Sequence, residues 1–464
     1  MRLLSHPRTL PFLVAGTFFM ELLDGTVIST ALPQMARSFG VRPVDLSVGL
    51  SAYLLTLALL LPASGYLAER FGQRRIFCIA ILIFTMASLA CSLSTSLAGF
   101  TAARVVQGAG GAMMVPVGRL VVLRATPKAD LMNAFATLTW PALAAPILAP
   151  PLGGLITTYA SWRWIFYINL PLGLLALWLA ARIVPVGEAA DTRRFDALGF
   201  ALTGLAGLGL MAGAEMLGRE TVDWPWALLI LAGGGLLGGA AIVQIKRHPA
   251  PILDLEALKV ASFSASVLGG SLYRAAVSTL PFLLPLLFQV GFGWSAFQSG
   301  LMVLALFVGN VGIKPFTTPI LQRFGFRTVL IGNGLLMVLM ILLCGLITPT
   351  TPLLITLAIL AGGGMTRSMG FTAINTLAFA DIAPSRMAGA NTLFSTAQQM
   401  AVGLGIAFGA LALRVGQLWQ PHDAGHVTLG DFRIAFVLIG LVALASLADA
   451  VALPAEAGAA VAGG

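Results

Sequence analysis

Two carboxylates three residues apart, Glu21 and Asp24, stand in the stretch "FFMELLDGTVISTALPQ". That spacing puts both on nearly one face of a helix. The surrounding apolar run, from near Pro11 to near Pro33, has about the length that crosses a bilayer. At about 1.5 Å per residue Asp24 lies about 20 Å into the run, in the middle or outer half of a membrane. An isolated carboxylate at such depth takes up a proton rather than stay ionised. Two adjacent acids cannot both ionise cheaply and titrate as a unit. The chemistry on offer is therefore reversible proton loading, or a counter-charge for a cation. The competing reading is structural: Asp24 held permanently by an arginine, Glu21 satisfied by a neighbouring helix. For Glu21 the two readings stand level.

The elements that position these acids follow from composition. The chain has 464 residues, of which 58% are hydrophobic and only 10% charged. Soluble domains carry about 25% charged residues, so this is a membrane protein. Apolar runs predict an all-α protein of fourteen transmembrane helices at 11–32, 46–68, 76–95, 99–123, 133–159, 163–183, 197–217, 225–245, 263–289, 297–321, 328–347, 352–379, 388–413 and 432–452. Whether 352–379 is one helix or a broken one is open. With the N-terminus inside, sixteen Lys and Arg residues fall in cytoplasmic loops and six in outer ones. This bias puts both termini in the cytoplasm and accounts for the net charge of +9 without nucleic acid. Cys78, Cys91 and Cys344 read as small buried hydrophobes, with neither a disulfide nor a metal expected.

The segments "GYLAERFGQRRIF" and "TPILQRFGFRTVL" align Arg70-Phe71-Gly72 with Arg323-Phe324-Gly325, and Arg74 with Arg327. Each reads as a tight basic turn between two long helices. The expected organisation is an N-terminal six-helix bundle (1–185), two inserted helices (186–250) and a C-terminal six-helix bundle (251–464). Such repeats imply a pseudo-two-fold axis and a substrate site at the repeat interface. No phosphate-binding loop is present, and the glycine cluster of "QGAGGAMMVP" lies inside a span, where small residues let helices approach. An ion gradient rather than ATP is the expected energy source, with protons as coupling ion and no cofactor. No Ser/His/Asp constellation or metal cluster suggests an enzyme; His6, His248, His422 and His426 fall in loops or near termini.

Four stretches carry a family resemblance: "LLDGTVISTALP", "GYLAERFGQRR", "RVVQGAGGAMMVP", and "APPLGGL" with "WRWIFYINLPLG". They resemble the major facilitator superfamily, specifically its fourteen-helix drug:proton antiporter branch. Glu69 stands where that family's loop motif has Asp, and Ala149 where its fifth-helix motif has Gly. The resemblance implies a multidrug efflux carrier of the bacterial inner membrane, working by alternating access on hydrophobic or cationic small molecules. It implies that Arg104 answers protonation of Asp24, and that Gly65, Glu69, Arg70, Gly72, Arg74 and Arg75 form a gating loop tied by inter-helix salt bridges. It implies that Pro150, Gly153 and Gly154 shape the antiporter helix. Asp24, Gln107, Arg274, Tyr273 and Phe19 are the expected substrate-cavity residues, with ordinary packing the alternative for Phe19. Arg119 and Lys314 are expected to snorkel to the cytoplasmic surface, and Glu215 to snorkel or make a loop contact. A carrier of an endogenous metabolite, such as a siderophore or amino-acid derivative, and a non-transporting membrane sensor remain alternatives. A periplasmic adaptor is left open.

Overall fold

The computed structural model describes residues 9–28, 31–41, 46–186, 194–217, 222–249, 251–419 and 427–462. Every regular element among them is helical, as a backbone without water to bond requires. Among the described residues twelve helices are long and apolar enough to cross a membrane: the chain is a multi-pass membrane protein. Helices Leu131–Tyr159 and Ala296–Gly312 occupy two further expected spans. The 352–379 region is a single helix, Leu353–Ala380.

Contacts divide the chain into two units. One runs to Leu208 and includes Leu236–Leu255 and Ala383–Thr396; the other holds Gly209–Gly235, Glu256–Ile382 and the chain from Ala397. The inserted helices Ala197–Leu217 and Trp224–Arg247 are thus shared between the units. In the first unit Gln73–Leu93 packs along Leu97–Ala125, and Thr9–Val27 along Leu131–Tyr159. Arg386 holds Asp254 through two hydrogen bonds of 2.9 and 2.6 Å. In the second unit Ala296–Gly312 and Lys314–Leu346 both pack on Leu353–Ala380.

The aligned triplets have matching geometry. Helix Ser64–Phe71 is separated from Gln73–Leu93 by Gly72 alone, at φ 85° and ψ 130°. Gly325 breaks Lys314–Leu346 at φ 74° and ψ 164°. Any residue with a Cβ is strained there. The expected basic turns are therefore one-residue breaks, each Arg-Phe pair still being helical. Past each break an arginine reaches a carbonyl in the last turn of another helix: Arg74 donates to Ala181 O and Arg327 to Val451 O at 3.0 Å. Such carbonyls have no partner within their own helix.

The helices approach closely where glycine permits it. A Cβ on Gly108 would come within 2.6 Å of the Tyr53 carbonyl, and one on Gly110 within 2.8 Å of the Phe84 nitrogen. In the second unit a Cβ on Gly364 would overlap the Leu306 carbonyl. Leu306 precedes Arg323 by the same interval as Tyr53 precedes Arg70, whereas the facing glycines follow those arginines at different intervals.

Candidate functional site

The first helix ends at Val27 rather than near residue 32. Asp24 therefore lies in its last turn, where the helix dipole disfavours an anion. The expectation of an isolated carboxylate in mid-helix is corrected: a guanidinium offsets the charge. Arg104 Nη1 lies 2.5 Å from Asp24 Oδ2, with Asp24 1% exposed and Arg104 fully buried. Arg104 points from Leu97–Ala125 into the unit.

Neutral groups complete the network. Asn169 Nδ2 donates to Asp24 Oδ1 and to Ser88 Oγ, both at 2.8 Å. Gln107 Nε2 donates to the same two atoms at 3.1 and 3.0 Å. Gln107 Oε1 accepts from Arg104 Nη1 at 2.6 Å and from the Cys91 thiol at 3.7 Å. Gln107 lies one turn after Arg104, so one helix face supplies cation and amide together. The Arg104 guanidinium also lies 4.4 Å from the centre of the Tyr53 ring, a cation–π distance. Sequence reasoning missed Tyr53, Ser88 and Asn169. Asn169 was detectable as the one amide in "WRWIFYINLPLG".

Glu21 is half-buried, one turn before Asp24. Its Oε2 and the Tyr53 hydroxyl are buried without hydrogen-bond partners. The two groups face one another across the space left by Gly111, where a Cβ would lie 3.0 Å from the Tyr53 hydroxyl and 3.5 Å from the Glu21 carboxyl carbon. A satisfied carboxylate thus has an unsatisfied one beside it on the same helix. Phe19 packs against the apolar cluster of Leu23, Phe100, Ala149 and Phe166.

The loop residues are less uniform than expected. Glu69 pairs with Arg124 at 2.9 Å, while Arg74 meets a carbonyl instead of a carboxylate. Arg75 is exposed and has no ion pair among the described residues. A Cβ on Gly65 would overlap the Thr392 hydroxyl, and Arg70 lies in the last turn before Gly72. Pro150, Gly153 and Gly154 lie within Leu131–Tyr159. Gly153 is buried; the side chains at 150 and 154 fall outside the described set, as does that of Glu215. His6, His422 and His426 also lie outside the described residues. No group of three metal-ligating side chains occurs among the described residues.

Arg119 and Lys314 depart from the snorkelling expectation. Arg119 is buried, bonded to Ser395 Oγ at 3.3 Å and 5.3 Å from the Phe394 ring centre. Lys314 Nζ donates to Thr372 Oγ1 at 2.9 Å. In the second unit Arg274 is fully buried, donating to Asn375 Oδ1 at 3.1 Å. Its neighbour Tyr273 donates to Thr366 O at 2.8 Å.

The chain matches the model of the Major Facilitator Superfamily over residues 14–203, 192–406 and 266–461. It is 38% identical over 446 residues to the "Putative multidrug resistance protein MdtD" of Salmonella newport (strain SL254), covering 93% of each chain. The Salmonella typhimurium protein of that name matches to the same extent. Among solved structures, the human organic anion transporter MFSD10 superposes with a TM-score of 0.69 at 15% identity, over 96% of this chain and 100% of that one. The proton:xylose symporter XylE superposes at 0.65 and 16% identity, over 98% and 97%. At such identities the two structures bear on the fold alone.

Proposed function

The chain belongs to the major facilitator superfamily, and from that premise we propose that it is a proton-coupled antiporter exporting hydrophobic, cationic small molecules across the bacterial inner membrane. The name of its Salmonella relatives supports the drug-efflux part of this reading. The observation that carries the coupling part is the buried Asp24–Arg104 pair beside the unsatisfied Glu21 carboxylate. In this reading Asp24 carries the proton. When it is neutralised, the charge holding Arg104 is gone, and the guanidinium keeps Gln107 and the Tyr53 ring as partners. When it is ionised, Arg104, Gln107 and Asn169 hold it again. Glu21 supplies the counter-charge for a cationic substrate, and Tyr53 offers a hydroxyl and an aromatic face.

The proposal takes fourteen crossings, the twelve apolar helices together with Leu131–Tyr159 and Ala296–Gly312. Both termini then lie in the cytoplasm, as the distribution of Lys and Arg favours.

Ethidium efflux from everted vesicles at matched expression tests the reading. Wild type should pump until a proton uncoupler is added, Asp24→Asn should be inactive, and Glu21→Gln should lose ethidium transport while keeping its unfolding midpoint. Efflux by Asp24→Asn at the wild-type rate would remove Asp24 from the proton path.

A further inference from the structure

Residues 261–380 contain no Asp or Glu, yet they hold Arg274, Lys314, Arg323, Arg327 and Arg367. Arg323 and Arg327 flank the Gly325 break; the other three lie within helices, on or against Leu353–Ala380. Lys314 bonds to Thr372, Arg274 bonds to Asn375, and Arg367 belongs to that helix. Residues 367 to 375 span about 12 Å of helix, so the three cations attach to it within little more than two turns.

The face they meet is polar and partly unsatisfied. Gly364, Ser368, Thr372 and Asn375 recur at helical spacing. Asn310 stands one turn before Lys314 and packs at Gly364, where a Cβ would lie 2.9 Å from the Asn310 nitrogen. Asn310 and Ser368 are fully buried, and Asn310 Oδ1 and Nδ2 and Ser368 Oγ have no hydrogen-bond partner. Arg367 Nε and Nη1 are likewise buried without one, its guanidinium lying 5.6 Å from the Phe371 ring centre. Neither Lys314 nor Arg367 has an ion pair among the described residues. Buried polar atoms are nearly always bonded, and an intramembrane cation is costly unless it pairs or lines a substrate path.

We propose that this face of the second unit binds the carboxylate of an organic anion, with Lys314 and Arg367 supplying charge and Asn310, Ser368 and Thr372 supplying hydrogen bonds. The inference rests on reading the chain as a carrier and extends its substrates to acidic or zwitterionic molecules. Three cations with amide and hydroxyl donors suit an anion better than a cation.

The test is binding, which does not require transport. Fluorescein anisotropy is titrated with the full chain in lipid nanodiscs, and ethidium anisotropy is measured on the same samples. Wild type should bind fluorescein. Lys314→Gln and Arg367→Gln should each weaken it about 10- to 100-fold, the worth of one charge-assisted hydrogen bond, with ethidium binding unchanged. Lys314→Arg should keep most of the affinity. On wild type alone, benzoate should displace fluorescein and the uncharged isostere benzamide should not, so the test survives even if a Gln variant fails to fold. Absence of fluorescein binding, equal competition by benzamide, or wild-type affinity in both Gln variants would overturn the proposal. Charge-selective fluorescein binding without any ethidium efflux would overturn the export of cations and leave this site standing.

Discussion

The Asp24 site of the first unit and the Leu353–Ala380 face of the second hold their cations in opposite ways. In the first, Arg104 has a carboxylate at 2.5 Å, and that carboxylate has two further amide donors. In the second, Lys314 has a threonine hydroxyl and Arg367 an aromatic ring, in a stretch without a single acid. The first arrangement pairs its cation with an acid inside the site. The second leaves positive charge and polar atoms for something else to satisfy. Removing a charge should therefore have opposite signs in the two places, because breaking a buried pair strands its partner whereas deleting a half-buried cation that has no ion pair among the described residues relieves desolvation.

The largest effect expected is at Arg104. Arg104→Gln leaves Asp24 buried without its cation and should cost about 3–5 kcal/mol, seen as a lowered unfolding midpoint in detergent. Adding Asp24→Asn should recover much of that loss, and a double-mutant cycle without such coupling would break the contrast. Lys314→Met should instead raise stability, by about 1–3 kcal/mol, the cost of a buried polar group without full compensation. A lowered midpoint for Lys314→Met would mean that its charge is already paired. Where the units are alike, so should be the responses: Gly72→Ala and Gly325→Ala should each cost about 1–3 kcal/mol in backbone strain. A loss at only one of them would confine the shared geometry to one unit. Glu69→Gln should have the smallest effect, up to about 1 kcal/mol and declining with salt, because its Arg124 partner is 33% exposed.

Much of this was legible in the sequence, and the exceptions have physical reasons. Charge is rare in apolar text, so Asp24, Glu21 and Arg104 stood out. An arginine held against Asp24 belongs to the structural reading of that acid; the resemblance names Arg104 only as the cation that answers its protonation. Ser88 and Asn169 did not stand out, because such side chains commonly bond nearby backbone and nothing in one-dimensional spacing brings residues 24, 88, 107 and 169 together. The helix end at Val27 was missed because hydropathy continues to Pro33 while helical geometry does not. Lys314 was misjudged because distance from a span's end predicts snorkelling only when the side chain faces lipid, and this one faces Thr372.

The matched hydrogen bonds of Arg74 and Arg327 also say something about history. Each follows a glycine at positive φ and ends on a last-turn carbonyl of a different helix. If the halves descend from one duplicated ancestor, this latch belonged to the ancestor, since both copies still have it. The paired acid of one copy and the unpaired cations of the other are then differences that arose after duplication, by gain in one copy or loss in the other. On that account the scaffold is the older inheritance, and the chemistry diverged after the copies had become free to differ.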